Sequence, residues 1–294
     1  MGNDERVALL GLLVSWGEKW SDITDRVEER GSARRVLEEL HSGQQSLFGS
    51  EDDVDAWTDQ ARQMLEAWDD EGIRFVSLFD DDYPSQLRSI SRRPPFVTWI
   101  GAPEPSDADG VAIVGTREAT AEGLQLARGF AIGLADRGIC VISGLAAGID
   151  TAAHRGALEV GGRTVAVIGT GLHSSYPKQN TELQAEIGRK GMVLSQFLPD
   201  ASPTKFSFPM RNAVMSGYSS ATLVVQAGFK SGARLQARLA CEQGRLLLLH
   251  IGLRNQEWAN ELATRPGACF VESLDDVLAA LATRGRSTHP QFNE

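Results

Sequence analysis

Cysteine is scarce in this sequence. The 294 residues hold three, Cys140, Cys241 and Cys269. They stand far apart, without metal-ligand spacing, and an odd count argues against a disulfide framework. No run approaches the roughly 18 apolar residues that a membrane span requires. The opening "MGNDERVALLGLLVSWGEKW" places acids ahead of a short amphipathic stretch, unlike a signal peptide. A Ser-His-Asp set, a metal cluster, a Walker loop and a GxGxxG after the first strand of the α/β part are all missing. These absences set aside secreted scaffolds, membrane proteins and the familiar hydrolases. They lead to the expectation of a reduced, cytoplasmic protein.

Positive charge is also in deficit, but unevenly. The net charge is −10. Residues 1–110 carry −13, residues 111–250 carry +5 and residues 251–294 carry −2. A basic segment on an acidic chain keeps an anionic partner open, because global charge says little about a local face.

The length allows roughly two domains at about 100–200 residues each. In residues 1–72, Val7, Leu10, Leu13 and Val14 approximate one helix face, and helices are predicted at 32–40 and 51–70. Residues 73–110 read as lead-in strands, including "PPFVTWIG", and a turn-rich linker, "APEPSDADG". From 111 to 284 strands and helices alternate. "VAIVG", "ICVISG", "TVAVIGTG", "GMVLSQF", "ATLVVQAG" and "RLLLLHIG" are strands, with helices predicted at 120–137, 148–160, 178–190 and 231–243. "FPMRNAVMSGYS" reads as a loop followed by a short helix. This alternation predicts an α/β fold, a doubly wound, mostly parallel, Rossmann-like sheet beside a small all-α domain. Residues 285–294 are read as a tail.

In such sheets ligands bind beyond the carboxyl ends of the strands. Four of those ends carry glycine: Gly115 in "GTR", Ser143 and Gly144 in "SGLAAGID", Gly169 and Gly171 in "GTG", and Ser231 and Gly232 in "AGFKSGAR". Glycine lets backbone N–H groups approach a ligand, and each following helix aims its positive end at the same crevice, as an anion pocket requires. The bland alternative is tight turns with glycine for packing alone. Arg117 follows the first turn, where its fork could meet a phosphate or pair with Glu118 or Glu122. Lys178 and Arg211 are expected on loops at the same edge. Tyr176, Phe206, Phe208 and Tyr218 are interleaved with these cations, a combination suited to single-stranded nucleic acid, although core packing is the simpler reading of Phe208. Asp150 and His154 at i, i+4 could be an acid–base pair. Capping and packing is preferred, since no nucleophile or metal partner has suitable spacing.

Taken together, "VAIVGTR", "SGLAAGIDTAAHRGAL", "GGRTVAVIGTGLHSSYPKQNTELQAEI", "FPMRNAVMSG", "LVVQA" and "ARLACEQGR" resemble the DNA-processing protein A family, also called Smf. "DDDYPSQLRSISRRPPFVTWIG" resembles its lead-in, and the resemblance spans about residues 73–280. It implies an extended Rossmann fold, a helical SAM-like N-terminal domain and a homodimer. It also implies single-stranded DNA binding and delivery of that DNA to a RecA-type recombinase in natural transformation, with no metal, no cofactor and no catalytic turnover. The family's basic pocket falls on Gly115, Thr116, Arg117, Lys178, Phe208, Arg211 and Asn212.

The chain departs from the family pattern at several places. Ala147 and Ala213 replace usual arginines, Gln226 and Gln196 replace usual glutamates, and "SGARLQA" replaces "SGSLITA", adding Arg234 and Arg238. After residue 280, "LATRGRSTHPQFNE" is too short for the winged helix that often ends the family. A divergent member with retuned binding is therefore expected. Two other classes compete. One is a nucleotide sensor or nucleoside-phosphate hydrolase in the same crevice, which Gln226 disfavours because it cannot ionise as a base. The other is a scaffold acting through the acidic N-terminal domain.

Overall fold

The computed structural model describes residues 2–15, 19–41, 51–91, 93–228 and 231–287. Residues 229 and 230 of "AGFKSGAR", and most of the expected tail, lie outside the described residues. The chain divides into two compact units, residues 1–83 with 94–98, and residues 84–93 with 99–294.

The first unit carries helices α1 (Gly2–Ser15), α2 (Trp20–Arg30), α3 (Ala33–His41) and α4 (Glu51–Asp70), strand β1 (Arg74–Ser77) and the start of β2 (Phe96–Gly101). Leu9, Leu10 and Leu12 of α1 are fully buried, with Ala61 and Trp68 of α4 in the same core. Glu5 caps α3, accepting from the Ser32 hydroxyl at 2.5 Å and the Ala33 amide at 2.8 Å. Phe75 stacks on Phe96 with ring centroids 4.8 Å apart, and Trp20 meets Phe96 edge-on at 5.4 Å.

The second unit contains a short helix α5 (Ser85–Arg88), then β3 (Val111–Gly115), α6 (Ala121–Ala135), β4 (Val141–Ser143), α7 (Ile149–Glu159), β5 (Thr164–Ile168) and α8 (Thr181–Lys190). It continues through β6 (Met192–Ser195), α9 (Ser207–Tyr218), β7 (Ala221–Gln226), α10 (Gly232–Glu242), β8 (Leu246–His250), α11 (Glu257–Ala263), β9 (Ala268–Val271) and α12 (Leu274–Ser287). The sheet order here is β6-β5-β4-β3-β7-β8-β9, with adjacent strands parallel. The fold is α/β and Rossmann-like.

Helices α6, α7 and α12 pack against one face of the sheet, and α9 packs against α10. One core joins Val111, Ile113, Leu223 and Val225 of the strands to Phe130 and Leu134 of α6. Strand order reverses between β3 and β7, and that switch opens a crevice at their carboxyl ends.

Three details differ from the sequence expectation. Helix α9 begins at Ser207, so "FPMRN" is helical rather than loop. Pro209 is tolerated because first-turn amides need no intrahelical acceptor. Between β8 and β9, where the pattern predicts no helix, the chain forms α11. The linker "APEPSDADG" is partly ordered: Pro105–Asp109 forms a 3-10 turn whose Asp107 is fully buried. Asp107 accepts from Arg163 Nε at 2.5 Å and Nη2 at 2.8 Å, and from the Tyr218 hydroxyl at 2.9 Å.

Candidate functional site

At the β3/β7 switch lies a cavity of about 560 Å³, lined among others by Gly115, Thr116, Arg117, Phe208, Arg211, Asn212, Ser231 and Gly232. Each wall follows from local chemistry. Gly115 ends β3 where a Cβ would stand 2.7 Å from the Gln226 carbonyl. Thr116 continues the chain, its amide donating to Gln226 O at 2.7 Å and its carbonyl accepting from Ile149 N at 3.3 Å. Gly148 has φ +80° and closes against the Thr116 and Arg117 carbonyls, a conformation that favours glycine. Opposite, Ser231 caps α10 by accepting from the Ala233 amide at 3.2 Å. The positive end of α10 therefore faces the cavity.

Arg117 is exposed at the cavity mouth. Its guanidinium carbon lies 5.2 Å from the centre of the Phe208 ring. Among the described residues no carboxylate, Glu118 and Glu122 included, forms an ion pair with it. The Tyr176 ring is tilted against that of Phe208, with centroids 5.2 Å apart. Gly169, at the end of β5, makes room for Phe208, since a Cβ there would meet the ring at 2.8 Å.

Arg211 behaves differently. It is only 4% exposed and forms the cavity floor. Its Nη1 donates to the Gly144 carbonyl and, at 2.8 Å, to the Val167 carbonyl. Gly144 is required there, because a Cβ would overlap that nitrogen. Asp150 lies beside it and accepts from the amides of Gly144 at 3.1 Å and Ala146 at 3.4 Å. Burial pushes the Asp150 carboxyl up, and Arg211 opposes that shift. Burial lowers Arg211, Asp150 resists, and the second cation, Arg117, adds to the lowering. Its starting value is high enough that it stays charged at neutral pH.

His154 does not bond to Asp150. Its Nδ1 is 2.7 Å from the Thr164 hydroxyl, which gives its own proton to the Val141 carbonyl at 2.7 Å. His154 is therefore the donor to Thr164, and burial holds its pKa down to about 3. The expected capping role is not found: the N-cap of α7 is Gly148, without a side-chain cap, Asp150 instead ties down the loop after β4, and His154 packs in the core.

The remaining expected residues sit apart from the cavity lining. Ser143 is buried and its hydroxyl donates to Ile113 O at 2.6 Å, tying β4 to β3. Gly171 packs against the carbonyls of Leu198 and Pro199. Lys178 is exposed on the same edge of the sheet, two residues beyond Tyr176. Among the described residues no cluster of three or more His, Cys, Asp or Glu could hold a metal ion.

The DNA recombination-mediator protein A family model matches residues 74–282. The chain belongs to this family. Protein Smf of Synechocystis is 40% identical over 187 residues, 62% of this chain and 47% of the relative, so the chain spans about half of that protein's length. DNA processing protein DprA of Streptococcus pneumoniae is 40% identical over 205 residues, covering 69% of this chain and 72% of the relative. The Bacillus subtilis protein of the same name is 32% identical over 253 residues, 85% of each chain. The S. pneumoniae DprA crystal structure superposes with a TM-score of 0.66 at 34% identity, over 77% of this chain and 81% of that one. The Helicobacter pylori protein, whose structure addresses its single-stranded DNA binding mode, gives a TM-score of 0.62 at 28% identity over 74% and 98%.

The family departures have structural consequences. Gln226 accepts from the Thr120 amide at 3.0 Å and its Nε2 approaches the Thr120 hydroxyl at 3.2 Å, pinning the start of α6. Ala147 is exposed on the loop after β4. Ala213 is half-buried on α9, its carbonyl taken by Gln243 at 3.1 Å. Sequence reasoning missed Lys205, an exposed cation 4.9 Å from the centre of the Phe206 ring. The signal was present in "KFSFP", where a basic residue precedes two rings. No helix among the described residues is long and apolar enough to cross a membrane.

Proposed function

We propose that the chain binds single-stranded DNA at the β3/β7 switch and passes it to a RecA-type recombinase, acting as a cytoplasmic homodimer without catalytic turnover. The observation that carries the reading is the Arg117–Phe208 pair. A cation that closes no ion pair among the described residues, though its charge is felt by the buried Asp150, lies over a ring at the mouth of a cavity that faces the start of α10. Phosphate and base are the two halves of a nucleotide, and cation and ring are the matching halves of a site. In this reading Gly232, at the start of α10, presents its amide to a phosphate, while Gly115, Thr116 and Ser231 shape the wall, since the Thr116 and Ser231 amides already donate to the Gln226 and Gly228 carbonyls. Arg117 makes the charged contact, Lys178 follows the strand along the edge, and Arg211 and Asn212 shape the floor. Family membership and the strand-binding H. pylori relative support it.

A mononucleotide would fit the cavity by volume, but rings exposed outside the cavity favour a strand. Fluorescence anisotropy with labelled oligothymidylate, duplex and free-nucleotide competitors tests the choice. Preference for the single strand, weakening with salt as phosphates release counterions, is expected. Equal affinity for duplex, or displacement by free nucleotide at equal concentration, would overturn it. Recombinase delivery is tested by filament assembly on DNA already coated with a single-strand binding protein. No acceleration would remove that part.

A further inference from the structure

Two large apolar side chains stand in solvent beside the cavity mouth. Phe206 is 65% exposed and Met210 is 51% exposed. The Met210 amide donates to the Phe206 carbonyl at 3.2 Å across the start of α9. That i, i+4 relation places both side chains on one helical face. Phe208, which lines the cavity, stands between them in sequence, and the 45% exposed Tyr176 rests on it. The other exposed large hydrophobics among the described residues are Leu124 in α6 and Val160 after α7. Exposure of rings and thioether is therefore concentrated at this one margin, and Lys205 lies against Phe206.

An exposed ring and thioether gain by being covered with flat, polarisable, apolar surface. Cations at their edge favour a partner that also carries negative charge. A nucleobase attached to its phosphate has both properties. An apolar protein surface would cover Phe206 and Met210 but leave the adjacent Lys205 and Arg117 without anions. We infer that Phe206 and Met210 form a base-stacking ledge outside the cavity. It takes the nucleobase adjacent to the nucleotide whose phosphate enters the cavity. This rests on the strand-binding reading above and adds a second contact of different chemistry, indifferent to base identity because every base has a π-face.

The test separates base from phosphate. Wild type, Arg117→Ala, the double variant Phe206→Ala/Met210→Ala, and Phe206→Trp/Met210→Leu are titrated by anisotropy. The probes are labelled oligothymidylate and an abasic deoxyribose-phosphate strand of equal length. The double alanine variant loses about tenfold on oligothymidylate, the scale of one base–ring stack, and nothing on the abasic strand. The Trp/Leu variant recovers the loss. Arg117→Ala weakens both strands. Thermal unfolding of the double variant matches wild type, since both side chains are at the surface.

A double variant that binds oligothymidylate as wild type does, while Arg117→Ala weakens it, overturns the ledge alone. Equal losses on both strands also overturn it, because the contact would not be to bases. Unchanged DNA binding with lost recombinase delivery assigns the patch to a protein and overturns it too. Failure of wild type to bind either strand overturns the ledge together with the strand-binding reading.

Discussion

The guanidinium of Arg117 lies over the ring of Phe208, 5.2 Å from its centre, joining the end of β3 to the first turn of α9 at the cavity mouth. Neither residue needs the other for the core, since Arg117 is exposed and Phe208 only half-buried. Their contact organises a surface.

Arg117→Ala should weaken binding to oligothymidylate by roughly tenfold or more, the loss of one charge-assisted contact. Arg189→Ala removes the same charge from the exposed last turn of α8 and should change little. Arg117→Lys should recover part, because a point charge replaces a planar fork. Anisotropy gives the affinities. Urea unfolding should show Arg117→Ala close to wild type, and a clear fall in stability with unchanged binding would make the arginine structural.

Gly169→Ala should act through Phe208. The added Cβ would stand 2.8 Å from the ring, so the ring must shift. We expect a stability cost of about 1–3 kcal/mol from overpacking and a loss of DNA affinity approaching that of Phe208→Ala. Binding like wild type would mean that the ring's position is unimportant to the site.

Arg211→Met should differ from Arg117→Ala in kind. It removes the donor to the Gly144 and Val167 carbonyls and the larger of the two cationic influences, Arg211 and Arg117, that offset the buried Asp150 carboxylate. Losing two buried hydrogen bonds and a cation near a buried carboxylate should move urea unfolding strongly, by about 1–3 kcal/mol or more. Asp150→Asn in the Arg211→Met background should restore part of the loss. A stable Arg211→Met protein with lost DNA binding would instead make Arg211 a direct ligand contact.

His154 sets a pH dependence of stability. Its folded pKa is held by burial at about 3, below its ordinary 6.5, so the unfolded chain takes up a proton first. The contribution is complete above the ordinary value and falls as pH drops towards about 3, with a limiting slope of about 1.4 kcal/mol per pH unit. His154→Asn should lower stability at neutral pH and flatten this acid decline. Urea midpoints measured across the window would show parallel curves if His154 titrated normally in the fold.

Much of this site is legible in one dimension. Apolar runs ending in glycine, each followed by a helical period, determine the strands, the turns and the sheet edge where a ligand belongs. They also place Arg117 just past the first strand. Local conformation depends on neighbouring residues, and that information is in the pattern. What the pattern could not decide is which distant groups meet. Arg211 reads as a free cation on a loop, yet tertiary packing buries it, with carbonyl partners 67 and 44 residues away. Ser143 reads as part of a phosphate-binding turn, yet its hydroxyl donates to Ile113 O, 30 residues distant, across the β3–β4 pairing. Gly144 and Gly169 read as backbone donors, yet they are small because Arg211 and Phe208 fill the space above them. Strand order decides these meetings, and strand order is settled by how the sheet buries its two faces, which no single segment encodes.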